Sequence, residues 1–286
     1  MPRTNAELLE LLDLENIDDN LFRGAQQPSI LPRVFGGQVA AQALVAADRT
    51  VDDEYVVHSL HSYFLQPGDT NAPIIYDVER LRDGRTFSTR RVLARQHGRP
   101  IFAMTVDLQR PEEGYEHQDR MPRVPSPEDA LDANAVIRGE DGSFDEWDVI
   151  DFRYVGSGHD LLPPDDDRPG RQQMWLRFNE ALPDDPLVHA AAFTYASDAT
   201  LMGAALSPQG ITLGGPEVMV ASLDHSVWFH RPFRADDWWL FDQHSPIASG
   251  GRGLVNARVF DREGLLVASV SQEALMRPMR ARGGSA

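Results

Sequence analysis

A chain of 286 residues with 42% apolar content can fill one large domain or two fused ones, and is too apolar to be a disordered segment. It has no cysteine, and all 27 of its basic residues are arginine, which excludes disulfides, thiolate zinc sites, cysteine-based thioester chemistry, Schiff bases and Gly-Lys phosphate loops. A net charge of −17 argues against nonspecific nucleic-acid binding.

The N-terminus lacks a basic-then-apolar leader, no apolar run reaches the roughly 18–20 residues of a membrane span, and the C-terminal Arg282-Gly283-Gly284-Ser285-Ala286 matches no organelle address. A soluble cytoplasmic protein without membrane partners is expected.

In chain order, Leu8, Leu9, Leu11 and Leu12 predict a short amphipathic helix over 5–14, packed outside the first unit. Gly36 to Val45 is Ala-rich and apolar nearly all round, which predicts a buried helix opened by glycines. Segments rich in β-branched and aromatic residues then predict strands over 56–65, 74–81, 86–96 and 101–108, punctuated by Asp83-Gly84 and His97-Gly98. Residues 111–170 are rich in Pro, Asp and Glu and read as a long surface connection, with one strand over 147–155 against a sheet edge. A second helix is predicted from Asp198 through Leu206, with Asp198 as N-cap or first-turn residue. Strands over 218–229, 238–244, 252–260 and 265–275 complete the chain.

An internal repeat organises these elements. His61-Ser62-Tyr63-Phe64-Leu65-Gln66-Pro67 is similar to His225-Ser226-Val227-Trp228-Phe229-His230-Arg231-Pro232. A second block, Arg91 to Ala103, matches Arg258 to Ala268 in the same order and at nearly the same spacing. Each copy reads as a lead strand, a helix and about four antiparallel strands. The expectation is an α+β double hotdog: two tandem units, each a central helix wrapped by a curved antiparallel sheet. The boundaries are 1–112 for the first unit, 113–170 for the acidic connection and 171–286 for the second unit. Aligning the two His-Ser motifs sets His58 opposite Ser222 and Gly37, or a near neighbour, opposite Asp198.

Signatures of known nucleophiles and metal sites are absent: there is no Gly-x-Ser-x-Gly elbow and no His-Glu-x-x-His. His58 and His61 are three apart and His225 and His230 five apart, so on regular strands neither pair shares a face. No metal is expected. Gly36 and Gly37 are either turn glycines or the opening of a helix whose free amides can meet an oxygen. Asp198 is either a cap or a carboxylate placed to take a proton from water. Gln272, in an apolar last strand, needs a polar partner if buried.

Taken together these segments resemble the acyl-CoA thioesterase II family. The likeness is carried by Phe35-Gly36-Gly37-Gln38, Val57 to Phe64, Leu81 to Arg91 and Asp224 to Pro232, and spans about residues 8–277. The resemblance implies a double hotdog that hydrolyses acyl-CoA without metal, cofactor or covalent intermediate. It implies a catalytic set of Asp198, Ser222 (where family members commonly have Thr) and Gln272. On that reading Asp198 is the base, and Ser222 and Gln272 hold the water. Gly36 or Gly37 would meet the oxyanion. His58 is a candidate substrate contact, and Arg82, Arg85, Arg90 and Arg91 are candidate phosphate contacts or plain surface charge. A homodimer or homotetramer is expected. A non-catalytic acyl-CoA binding protein and an acyl-carrier thioesterase remain alternatives. A hotdog hydratase, which would want a His five residues after the Asp, is disfavoured because that residue is Gly203.

Overall fold

The computed structural model describes residues 1–29, 31–133 and 147–279. The middle of the acidic connection and the C-terminal tail lie outside these. Helix α1 (Asn5–Leu12) starts at Thr4, whose side chain accepts from the Glu7 amide, and buries Leu8, Leu11 and Leu12. The hairpin β1 (Glu15–Asp18) and β2 (Leu21–Gly24) follows, then α2 (Gly36–Asp48) and the strands β3 (Val56–Phe64), β4 (Ile74–Asp83), β5 (Phe87–Gln96) and β6 (Arg99–Gln109). The second half holds β7 (Leu131–Asp132), β8 (Ile150–Ser157), β9 (Arg171–Phe178), α3 (Pro186–Ser197) and a short α4 (Met202–Leu206). It ends with β10 (Val218–Ser222), β11 (Asp224–Phe229), β12 (Trp239–Ser249), β13 (Arg252–Asp261) and β14 (Leu266–Pro278).

All these strands join one antiparallel sheet in the order β1-β2-β4-β5-β6-β3-β11-β14-β13-β12-β9-β8-β7, with β10 paired to β14. The path β2-β4-β5-β6-β3 is repeated in reverse by β11-β14-β13-β12-β9, so the sheet is two copies of one unit joined along β3 and β11. The repeated sequence motif is this seam. His61 faces Ser226 and Ser62 faces His225 across it. Helices α2 and α3 pack on each other inside the curved sheet, and their Ala-rich surfaces allow the close approach. Among the described residues no helix is long and apolar enough to cross a membrane.

Three expectations are corrected here. Helix α1 touches α3 as well as α2, so it covers both units and not the first alone. The second central helix runs from Pro186 to Ser197, opened by Asp185, whose carboxylate accepts from the Leu187 amide at 2.9 Å, with Pro186 in its first turn. Asp198 is therefore its C-cap, with φ −80° and ψ −9°, and not an N-cap. The Asp185-Pro186 start signal is present in the sequence itself. Finally, the predicted strand over 218–229 is broken at Leu223 into β10 and β11. There the Leu223 amide donates to the Glu273 carbonyl, the Leu223 carbonyl accepts from Phe64, and Asp224 accepts from the Glu273 amide at 2.6 Å.

Candidate active site

That break in the strand decides which side chains face inward. In a regular strand residues three apart point to opposite faces, yet Ser222 and His225 both reach Gln272 of β14. The irregularity at Leu223 adds the half-step that brings both to the interior. His61, aligned with His225 by sequence, is on the outer face with Ser226, so the two motif histidines occupy different environments.

Asp198, Ser222 and Gln272 form a closed triangle. Ser222 Oγ donates to Asp198 Oδ1 at 3.1 Å, and Gln272 Nε2 donates to the same oxygen at 3.0 Å and to Ser222 Oγ at 2.8 Å. Burial lifts the Asp198 carboxyl above the usual carboxylate range, against the pull of His225, Ser222, Gln272 and the Gly37 amide.

The amide comes from the other unit. Asp198 ends its own helix, where the dipole disfavours a carboxylate, but it lies against the start of α2, where the dipole favours one. No side chain caps α2. Only glycines permit this contact: a Cβ on Gly36 would sit 2.5 Å from Asp198 Oδ2, and one on Gly37 would sit 2.2 Å from the Tyr195 carbonyl oxygen.

The triangle opens onto a cavity of about 620 Å³. Val34, Phe35, Val39, Phe64, Phe102, Met202 and Leu213 are among its apolar walls, and Gly36, Asp198, Ser222 and Gln272 are at its polar part. A space of this size with apolar walls and few polar groups suits an organic ligand with a long apolar portion. Arg33 is the one cation among the lining residues, and its Nη2 donates to the Val220 carbonyl at 2.9 Å.

The other sequence candidates lie away from this cavity lining. His58 pairs with Asp107 at 3.1 Å. Arg90 is only 1% exposed and donates to Thr50, Asp83 and the Arg82 carbonyl, so its expected role as a phosphate contact is corrected to a buried structural one. Arg91 pairs with Glu79, Arg82 lies over the Phe87 ring and Arg85 is exposed. Sequence reasoning missed Arg33, which sits in an unpatterned loop, and the inward-facing role of His225, whose partners Ser197 and Gln272 are distant in the chain.

Residues 25–109 match a family model described as the acyl-CoA thioesterase N-terminal domain, and residues 165–275 match one described as acyl-CoA thioesterase. An acyl-CoA thioesterase 2 from Haemophilus influenzae is 39% identical, with 94% of this chain and 96% of that protein covered. The crystal structure of an acyl-CoA thioesterase II from Mycobacterium marinum superposes with a TM-score of 0.82 at 44% identity, covering 95% of this chain and 98% of that one. A hotdog-fold protein from Alicyclobacillus acidocaldarius gives a TM-score of 0.77 at 20% identity over 94% of this chain and 97% of that one, a likeness of fold. The double hotdog architecture is thus common to this chain and its relatives.

Proposed function

The chain belongs to the acyl-CoA thioesterase family, and from that premise we propose that it hydrolyses fatty acyl-CoA to free fatty acid and CoA with water activated at Asp198. The observation that carries the reading is the Asp198–Ser222–Gln272 triangle at the polar part of an apolar-walled cavity. Water that donates to Asp198 and Ser222, both fixed in place by Gln272, attacks the thioester carbonyl carbon and gives its proton to the carboxylate. The carbonyl oxygen gathers negative charge beside the uncapped first turn of α2, where Gly36 lines the cavity while the Gly37 amide serves Asp198. The C–S bond then breaks, and the thiolate leaves and takes up the proton that Asp198 holds.

A plain binding role gives no reason for a carboxylate lifted by burial and ringed by three donors. The hydratase alternative wants a His five residues after Asp198, and that residue is Gly203, which has no side chain to supply. The reading places the enzyme in cytoplasmic fatty acid metabolism. It includes pairing into a homodimer or homotetramer, for which Tyr63, 64% exposed near the central seam, offers an aromatic contact. Purified protein given acyl-CoAs of increasing chain length, with a thiol reagent present, should release CoA. No release at any length would overturn the proposal.

Arg33 is the reading's choice for the CoA anion, because its guanidinium is at the cavity and Val220 already holds one of its nitrogens. Arg33→Gln should raise KM for acyl-CoA about tenfold with kcat within about twofold, the signature of lost uniform binding. A matched acyl-pantetheine thioester, which lacks the nucleotide phosphates, should show no such change in KM.

A further inference from the structure

The carboxamide of Gln272 has two unlike ends, and the site works with only one of its two orientations. Nε2 spends its protons on Asp198 Oδ1 and Ser222 Oγ. Turned over, the amide would point Oε1 at a carboxylate and lose both bonds. Gln272 is 1% exposed, so water is a poor substitute partner for whichever end is left over. A glutamine side chain has no internal reason to choose, since its O and N ends are nearly equal in size.

We infer that His225 makes the choice, as a positioning residue that holds the Gln272 amide in the orientation Asp198 and Ser222 require. Its Nδ1 lies 2.6 Å from Gln272 Oε1, and its Nε2 lies 2.9 Å from Ser197 Oγ. Because Oε1 can only accept, Nδ1 must carry a proton. In the neutral ring Nε2 then accepts from the Ser197 hydroxyl, which otherwise has the Thr194 carbonyl at 3.1 Å. Ser197 is the residue before Asp198, so the polar chain Ser197–His225–Gln272–Asp198 closes on adjacent residues of the backbone. The ring is fully buried, and the His225 carbonyl accepts from Ser62 of the first unit at 2.8 Å, which pins β11 from behind. His225 does not itself line the cavity, and its two ring nitrogens meet Ser197 and Gln272, so it acts through Gln272.

This inference rests on the catalytic reading of Asp198, and the test separates the two. His225→Phe keeps the ring volume and removes the donor, while His225→Asn keeps an N–H close to the Nδ1 position. His225→Phe should lower kcat about 10- to 100-fold with KM within about twofold, the scale of a buried partner left unsatisfied. His225→Asn should recover most of that loss. The deciding arm is the cycle with Gln272→Ala: once the amide is gone, His225→Phe should cost nothing further in kcat. If His225→Phe slows the Gln272→Ala enzyme by the same factor as the parent, or if folded His225→Phe turns over normally, the inference is overturned. Should the Phe variant fail to fold, His225→Leu takes its place in the same cycle. Failure of the catalytic reading is a different result, in which Asp198→Asn keeps full turnover.

Discussion

Asp198→Asn is expected to lower kcat about 10³-fold or more while KM for acyl-CoA changes little, because a positioned general base supplies roughly 10²–10⁴ in rate. Asn keeps the shape and one acceptor for Ser222 and Gln272, so the loss belongs to proton transfer and not to collapse of the site. Circular dichroism matching the parent protein would secure that point. The same carboxyl sets the pH profile. Burial raises its pKa, so Asp198 stays protonated to a higher pH than an ordinary carboxyl, and a protonated acid takes no proton from water. Activity should therefore rise with pH along a limb lying above the usual carboxylate range, and fall as pH drops through it. Ser222→Ala removes a donor to the charged form and should move that limb further up. A wild-type limb at or below the ordinary Asp range would contradict the assignment.

The elements that could be read from the sequence were those whose neighbours are close in the chain. The runs around Val56, Ile74, Phe87 and Leu266 carry enough β-branched and aromatic residues to be strands in almost any packing. The repeat was visible too, although nothing in His61-Ser62 or His225-Ser226 says that the two copies pair with each other. Asp198, expected at the start of its own helix, instead ends one, and its helical amide donor is Gly37 of the other unit. Position along a helix is local information, whereas the amide that meets a carboxylate across two units is not. The inward turn of both Ser222 and His225 depends on an irregularity at Leu223 that has no Gly or Pro to announce it. Arg90 shows the same limit from the other side. A charged residue in a strand reads as surface, and only the surrounding Thr50, Asp83 and Arg82 carbonyl make its burial tolerable.

Gly37→Ala should damage both stability and turnover, because the contact it fills is between two backbones. The added methyl would lie 2.2 Å from the Tyr195 carbonyl oxygen and 2.5 Å from Phe35 Cε1. The ring can turn aside, but the carbonyl belongs to the last full turn of α3 and can retreat only if the helix does. Overpacking of this kind costs roughly 1–3 kcal/mol, a fall in Tm of about 2–4 °C per kcal/mol for a domain of 150–250 residues. The activity loss has a separate origin. Moving α2 away from α3 draws the Gly37 amide off Asp198, which lies three residues past Tyr195, so the carboxyl loses a donor that favours its charged form. A kcat lowered about 100-fold, with the acid limb displaced upward, is the expected result, since small misplacements of reacting groups cost about that much. Gly114→Ala is the control: a Cβ there meets nothing within 4 Å, and both Tm and kcat should stay at parent values. If Gly37→Ala unfolds at a lower temperature yet keeps the parent kcat and pH profile, α2 supports the fold alone and Asp198 does not depend on its amide.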